Sequence, residues 1–425
     1  MSSLLIQHGR IIDPASGLDV VGDILIEDGK IARIGGSGGS ADETLDATGK
    51  IVAPGFIDMH VHLREPGFEQ AETIETGSRA AVAGGFTTIC CMPNTMPVND
   101  SPTITNFIVE RARQLAACHV FPIGAITKGS QGEELAPIGS MKAAGIVAIS
   151  DDGRPVMNAR VTRRAMEFAR SFDLPLIQHC EDLNLSAGGD MHEGLHSTRL
   201  GLRGIPSASE DVMVARDILL AELTGVRYHV AHLSTRNAVA MVAFAKKRGL
   251  AVTAEATPHH FAITDAELVN YDSNYRMKPP LRSECDVTAV IDGIVNGAID
   301  AIATDHAPHP AGQKMQELER CPFGITGLET AIGLSLEALF HTGKISLARL
   351  ISLFTTGPDG VLKLGRGRLT EGGIADVTVF DLEGHWVYSS AQSLSKSKNS
   401  PFDGRKFRGG PFATVVSGRI VWRRT

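Results

Sequence analysis

The stretch Phe56-Ile57-Asp58-Met59-His60-Val61-His62 decides the fold of this chain. It is a short apolar run ending in two histidines spaced i, i+2. Side chains at that spacing leave a strand on the same face, so His60 and His62 can grip one ion together. Further short apolar runs follow, and several also end in metal-binding residues. Ile149-Ser-Asp-Asp-Gly153 supplies Asp152, Leu176-Ile-Gln-His179 supplies His179, His229-Val-Ala-His232 supplies His232, and Ala301-Ile-Ala-Thr-Asp-His306 supplies Asp305. Imidazoles and carboxylates gathered at one end of a parallel barrel describe a catalytic metal site rather than scattered core residues.

Outward from that stretch, the pattern predicts strands over 55–62, 86–92, 118–126, 146–151, 174–179, 227–232, 250–256 and 299–304. Helical patterns fill the intervals, for example 105–117, 159–172 and 235–248, the last with a basic final turn and Gly249 as its stop. Eight βα units in series predict a (β/α)8 TIM barrel with its site at the strand C-termini. An open doubly wound sheet is the alternative. It fits less well, because ligands at the first, fourth, fifth, sixth and eighth ends converge only if the sheet closes. The flanks read differently. Residues 4–13 and 22–34, with the hairpin signal Asp28-Gly29, are β-rich, and so are 373–381 and 413–422. Neither flank can bury a sheet face alone, so the two are expected to pair into one small discontinuous β-sandwich domain. The expected division is 1–53 with 366–425 for the β domain and 54–365 for the catalytic barrel.

A chain of 425 residues, 43% hydrophobic and 21% charged, has the composition of an ordinary globular protein. A net charge of −7 argues against wrapping nucleic acid or an anionic membrane. No apolar stretch reaches the roughly 18 residues of a membrane span. The first residues lack the basic region, apolar run and cleavage site of a secretion signal, so a cytoplasmic location is expected. Cys90, Cys91, Cys118, Cys180, Cys285 and Cys321 form no CxxC, which fits reduced thiols. Cys90 and Cys91 read as buried packing. Cys180 follows His179, and strand alternation points it away from the site.

The candidate ligands divide between two ions. His60, His62 and Asp305 would hold the first, His179 and His232 the second, with Asp152 between them. Imidazole nitrogen and carboxylate oxygen suit zinc, one or two per chain, with a position left open for water. Asp305 has a second candidate role, taking the water's proton and returning it to a leaving nitrogen. His119, His192, His196, His229, His341 and His385 read as structural or exposed, and His259-His260, at the end of the seventh strand, as lesser candidates.

Gly55-Phe-Ile-Asp-Met-His-Val-His-Leu-Arg-Glu-Pro-Gly67 and Ala303-Thr-Asp-His-Ala-Pro-His309 resemble the two signature segments of dihydroorotases, within the amidohydrolase superfamily. Gly84-Gly-Phe-Thr-Thr, Met92-Pro-Asn-Thr, His179-Cys-Glu-Asp182, Pro279-Pro-Leu-Arg282 and Pro322-Phe-Gly-Ile-Thr-Gly-Leu-Glu329 match as well. The resemblance covers essentially the whole chain. It implies reversible cyclisation of N-carbamoyl-L-aspartate to L-dihydroorotate, a step of pyrimidine biosynthesis. It also implies that Arg64, Asn94 and His309 hold the substrate carboxylate, and that Phe323-Gly324 contacts the pyrimidine ring.

Two departures from the wider pattern matter. Many superfamily members bridge their metals with a carboxylated lysine at the fourth strand, and residues 144–153 hold no lysine. The chain is therefore similar to the class I branch that uses aspartate, with Asp152 matching the ligand and Asp151 its neighbour. Related sequences often have asparagine where this chain has Lys278, which gives a cation with no acceptor. Its ammonium has two placements open, on the substrate or out in solvent. Hydantoinase and allantoinase are the enzymatic rivals. A non-catalytic partner of aspartate transcarbamoylase is a rival of another class. A homodimer is expected, with association with the transcarbamoylase as a further arrangement, and 311–321 is the candidate mobile segment.

Overall fold

The computed structural model describes residues 3–36 and 38–424, so residues 1, 2, 37 and 425 of the expected terminal segments lie outside it. Barrel strands run over Phe56–Val61, Phe86–Cys91, His119–Pro122, Leu176–Gln178, Tyr228–Val230, Val252–Ala256 and Ala301–Ile302. The first three pair in parallel, and so do the last four. The fourth expected strand, 146–151, is not a strand. Ile149 makes single parallel bridges to Gly124 and Leu176 and so joins the two sheets. The chain bends after Ser150 because the Asp151 carboxylate is drawn to the amides of Ile126, at 2.8 Å, and Thr127, at 3.1 Å. The third strand is shortened to His119–Pro122 for the same reason, since its expected end turns to meet Asp151.

Closure occurs between the first and eighth positions. Val61 bridges His306, and the His62 amide donates to His306 O at 2.8 Å. Below that seam the buried Asp58 carboxylate accepts from the Thr304 hydroxyl at 2.5 Å and from the His60 amide at 3.1 Å. The strands are buried on both faces, as parallel strands under helices must be. A cluster of Met59, Cys90, Ile123, Ala148, Ile177, Ala231 and Ala301 draws on every position of the ring except the seventh, and so fills the barrel axis. The seventh strand sends Glu255 inward instead.

Helices form where caps and apolar stripes coincide. Pro102–Leu115 starts at Ser101 with proline in its first turn, and Ala159–Ser171 starts at Asn158. Arg236–Lys247 starts at Thr235, whose side chain accepts from Ala238 N, and it ends in Lys246 and Lys247. The flanks join into one eight-stranded sheet. Val377–Val387 of the C-terminal segment pairs antiparallel with Ile51–Pro54 of the N-terminal one. Ile24, Ile31 and Leu45 share one core with Val377, Ala413 and Val415, so the sheet folds over on itself as a sandwich.

Candidate metal centre

His60 and His62 leave the end of the first strand, where the register shifts between Asp58 and Val61. Such an irregularity re-aims side chains beside a site. His60 Nδ1 lies 2.5 Å from Glu255 Oε1, which leaves its Nε2 facing Asp152 Oδ1 at 3.3 Å. His62 Nδ1 lies 2.9 Å from Asn94 Oδ1, and its Nε2 is 3.0 Å from Asp305 Oδ1. His179 Nε2 is held by Glu181 Oε2 at 2.9 Å, so Nδ1 meets His232 Nε2 at 2.8 Å. In three of the four imidazoles, then, one nitrogen is fixed by an oxygen and the other points inward, which settles the tautomer each would offer a metal.

Asp152 stands at the centre. Its Oδ1 lies 3.7 Å from His179 Nδ1 and 3.6 Å from His232 Nε2, while Oδ2 lies 3.5 Å from His62 Nε2. Donor atoms of His60, His62 and Asp305 lie within 4.8 Å of one another, and so do those of His60, Asp152 and His232. His60 Nε2 and Asp152 Oδ1 are buried without a hydrogen-bond partner among the described residues. Two unpartnered buried atoms, aimed at the same point from a nitrogen and a carboxylate, fit a divalent cation. The electrostatics agree. Burial opposes charge on His60, but Asp152 and Glu255 hold it well above the usual imidazole range. Burial likewise opposes charge on Asp152 and Asp305, yet the surrounding histidines keep both below the usual carboxylate range. A field that retains protons here is one a cation would meet. His232 and Asp305 also carry left-handed backbones, with φ of 33° and 47°, the kind of strain that clusters at functional sites.

The expected substrate contacts come together beside these residues. Arg64, Asn94, Lys278, His309, Phe323 and Gly324 line one cavity of about 270 Å3 with His62, Asp152, His179, His232 and Asp305. His60 lies fully buried beside Asp152 and Glu255. Arg64 is no surface ion pair: its Nε donates to Pro308 O at 3.2 Å, and burial brings its pKa down to about 10. Lys278 turns inward, 2.6 Å from Glu181 Oε1 and 4.8 Å above the Phe323 ring centroid. His309 donates from Nε2 to Phe323 O at 2.8 Å. Burial, with Arg64 and Lys314 near, holds its pKa at about 3, so the ring is neutral.

Other expectations find their places. His229 is structural, bonded to Thr253 and Glu255, and His260 to Thr257 and Pro279 O. His259 Nε2 is buried and unpartnered among the described residues. Cys180 points toward Tyr228 OH at 3.2 Å, and Cys90 and Cys91 are buried. Sequence reasoning missed Glu255 and Glu181. The signal for Glu255 was a lone carboxylate in the apolar run 250–256.

A family model described as dihydro-orotase-like matches residues 49–238. A protein named dihydroorotase from Solibacter usitatus is 68% identical over 99% of this chain and 98% of its own length. Another of that name, from Pelotomaculum thermopropionicum, is 52% identical over 98% of both. The chain belongs to the dihydroorotase family. It is thereby a metal-dependent cyclic amidohydrolase. Among solved structures, L-hydantoinase from Arthrobacter aurescens superposes with a TM-score of 0.89 at 25% identity, covering 100% of this chain and 96% of its own. D-hydantoinase from Thermus sp. gives 0.82 at 26%, covering 99% and 95%. Dihydroorotases and hydantoinases thus share the barrel and sandwich, and the higher sequence identity lies with the dihydroorotases. Among the described residues no helix is long and apolar enough to cross a membrane.

Proposed function

We propose that this protein interconverts N-carbamoyl-L-aspartate and L-dihydroorotate as a zinc-dependent dihydroorotase of pyrimidine biosynthesis. The observation that carries this reading is a single cavity. In it the convergent set of His62, Asp152, His179, His232 and Asp305, with His60 beside it, faces the guanidinium of Arg64. The catalytic unit is 54–365, and 1–53 with 366–425 form the β domain. His60, His62, Asp152, His179, His232 and Asp305 would hold one or two zinc ions. Bound there, zinc lowers the pKa of water and polarises the substrate carbonyl.

The chain's own residues supply the rest. Arg64 and the amide nitrogen of Asn94 bind the carboxylate that remains on the ring, and neutral His309 adds its one N–H from beside them, exchanging Phe323 O for the carboxylate. Phe323 and Gly324 form the wall against the ring. Lys278, paired with Glu181, adds positive charge at the mouth and steadies the carboxylate that orients His179. In hydrolysis, water oxygen bonds to the ring carbonyl carbon next to the ring methylene. The bond from that carbon to the ring nitrogen between the two carbonyls breaks. Asp305 takes the water's proton and delivers it to that nitrogen. In ring closure Asp305 removes a proton from the ureido nitrogen as it attacks the carbon of the carboxylic acid, and gives that proton to the departing hydroxyl, which leaves as water.

Zinc per chain and turnover of L-dihydroorotate, hydantoin and allantoin by the purified protein test this reading. Zinc with turnover confined to dihydroorotate supports it, and preference for another ring would overturn it. A homodimer, association with aspartate transcarbamoylase, and a cytoplasmic location accompany the proposal. Sedimentation of the chain alone and mixed with the transcarbamoylase tests the first two, and cell fractionation the third.

A further inference from the structure

The C-terminal segment does not return directly from Val377–Val387 to Lys406–Val416. Residues 388–405 leave the β sheet and run to the barrel rim. There Ser395 bonds the Glu72 carboxylate, and Ser397 Oγ donates to Ala71 O at 2.6 Å. Asn399 goes furthest in. It is 4% exposed, and every polar atom of its amide is used. Nδ2 donates to Ala307 O at 3.0 Å and to Gly324 O at 3.0 Å, while Oδ1 accepts from His309 N at 3.0 Å. The orientation is forced, because two carbonyls need the NH2 and one amide needs the oxygen. The Asn399 carbonyl accepts from Thr326 N at 2.9 Å. One side chain therefore ties the loop after the eighth strand to the loop of Phe323 and Gly324, and both loops line the cavity.

We propose that Asn399, carried on this strap, is a positioning residue that sets the separation of His309 from Gly324 and so the fit of the substrate's carboxylate and ring. The inference rests on the reading of His309 and Gly324 as substrate contacts. Asn399 stands behind the wall and acts through it. Its four bonds reach residues more than seventy positions away in sequence, so the strap makes the terminal β segment part of the site.

The test compares wild type with Asn399→Asp, which keeps the shape but turns two donors toward carbonyls into acceptors. Asn399→Ser, which keeps one hydroxyl, serves where the first variant fails to fold. Loss of these buried bonds raises KM for L-dihydroorotate about tenfold or more, with kcat within about threefold. Zinc content and Tm stay near wild type. Amide exchange at His309 and across 323–327 accelerates by about tenfold. Wild-type KM together with wild-type exchange would overturn the proposal, and so would a fall in Tm alone. If wild type itself fails to turn over L-dihydroorotate, the functional reading fails, and the exchange measurement still decides the role of Asn399.

Discussion

Glu255 lies beneath His60, with Oε1 2.5 Å from Nδ1 and both side chains wholly buried. Burial works against the charge on this carboxylate, but His60 and His229 hold its pKa at about 2. It therefore stays ionised, fixes the His60 proton on Nδ1, and leaves Nε2 free to bind. Replacing Glu255 by Gln keeps an acceptor but removes the charge. Weakening of this kind costs about 10- to 100-fold in metal affinity. Chelator competition with zinc should show that loss, and unchanged affinity would take Glu255 out of this role.

Asp305 sits 3.0 Å from His62 Nε2 and lines the cavity with Arg64. Asp305→Asn retains an oxygen for the metal but not the proton acceptor. The expected result is a folded protein with most of its zinc and a turnover lower by about 10²- to 10⁴-fold. Near-normal hydrolysis of dihydroorotate by that variant would reject Asp305 as the proton carrier.

How much of this was legible in sequence depended on range. HxH, Asp152, His179, His232 and Asp305 were readable because each stands at the end of a short apolar run, and a barrel brings such ends together. The fourth strand was not, since its apolar pattern is real but Asp151 bonds across to Ile126 and breaks the ladder. Glu255 was visible as a misfit in its strand, but its partner His60 is 195 residues away. Asn399 gave no signal. Its surroundings, Ser393 to Ser400, have the composition of a solvated linker, and distant contacts, among them those with Glu72, Ala307 and Gly324, bury the segment's uncharged polar side chains. The segment 311–321, expected as a mobile loop, carries a short helix, Ala311–Lys314, whose last side chain is buried.

That side chain gives a pH prediction. Lys314 Nζ donates to Pro322 O at 3.0 Å and Gly324 O at 3.2 Å, and burial lowers its pKa from 10.5 to about 8. The folded state thus binds fewer protons than the unfolded state between those two values. Stability from this group rises with pH across that window, and is lowest below it. The rise is about 3 kcal/mol if the unfolded chain titrates normally. Denaturant unfolding of wild type and Lys314→Met from pH 7 to 10.5 checks this. The variant should lack that part of the slope, and parallel curves would refute the assignment.

Gly324 is the point where Asn399 and Lys314 meet, its carbonyl accepting from both at 3.0 and 3.2 Å. Its φ of +126° is one that only glycine adopts without strain. A Cβ there would come within 2.7 Å of Ala307 Cβ and 3.1 Å of His309 Nε2. Gly324→Ala therefore combines a backbone cost of about 1–3 kcal/mol with displacement of the cavity wall. The backbone penalty lowers Tm, while the displaced His309 raises KM for dihydroorotate. Zinc binding should persist, because the residues proposed to hold the ion stand outside this loop. A variant with wild-type Tm and KM would mean that the wall relaxes freely, and that the two donors on the Gly324 carbonyl do not hold it.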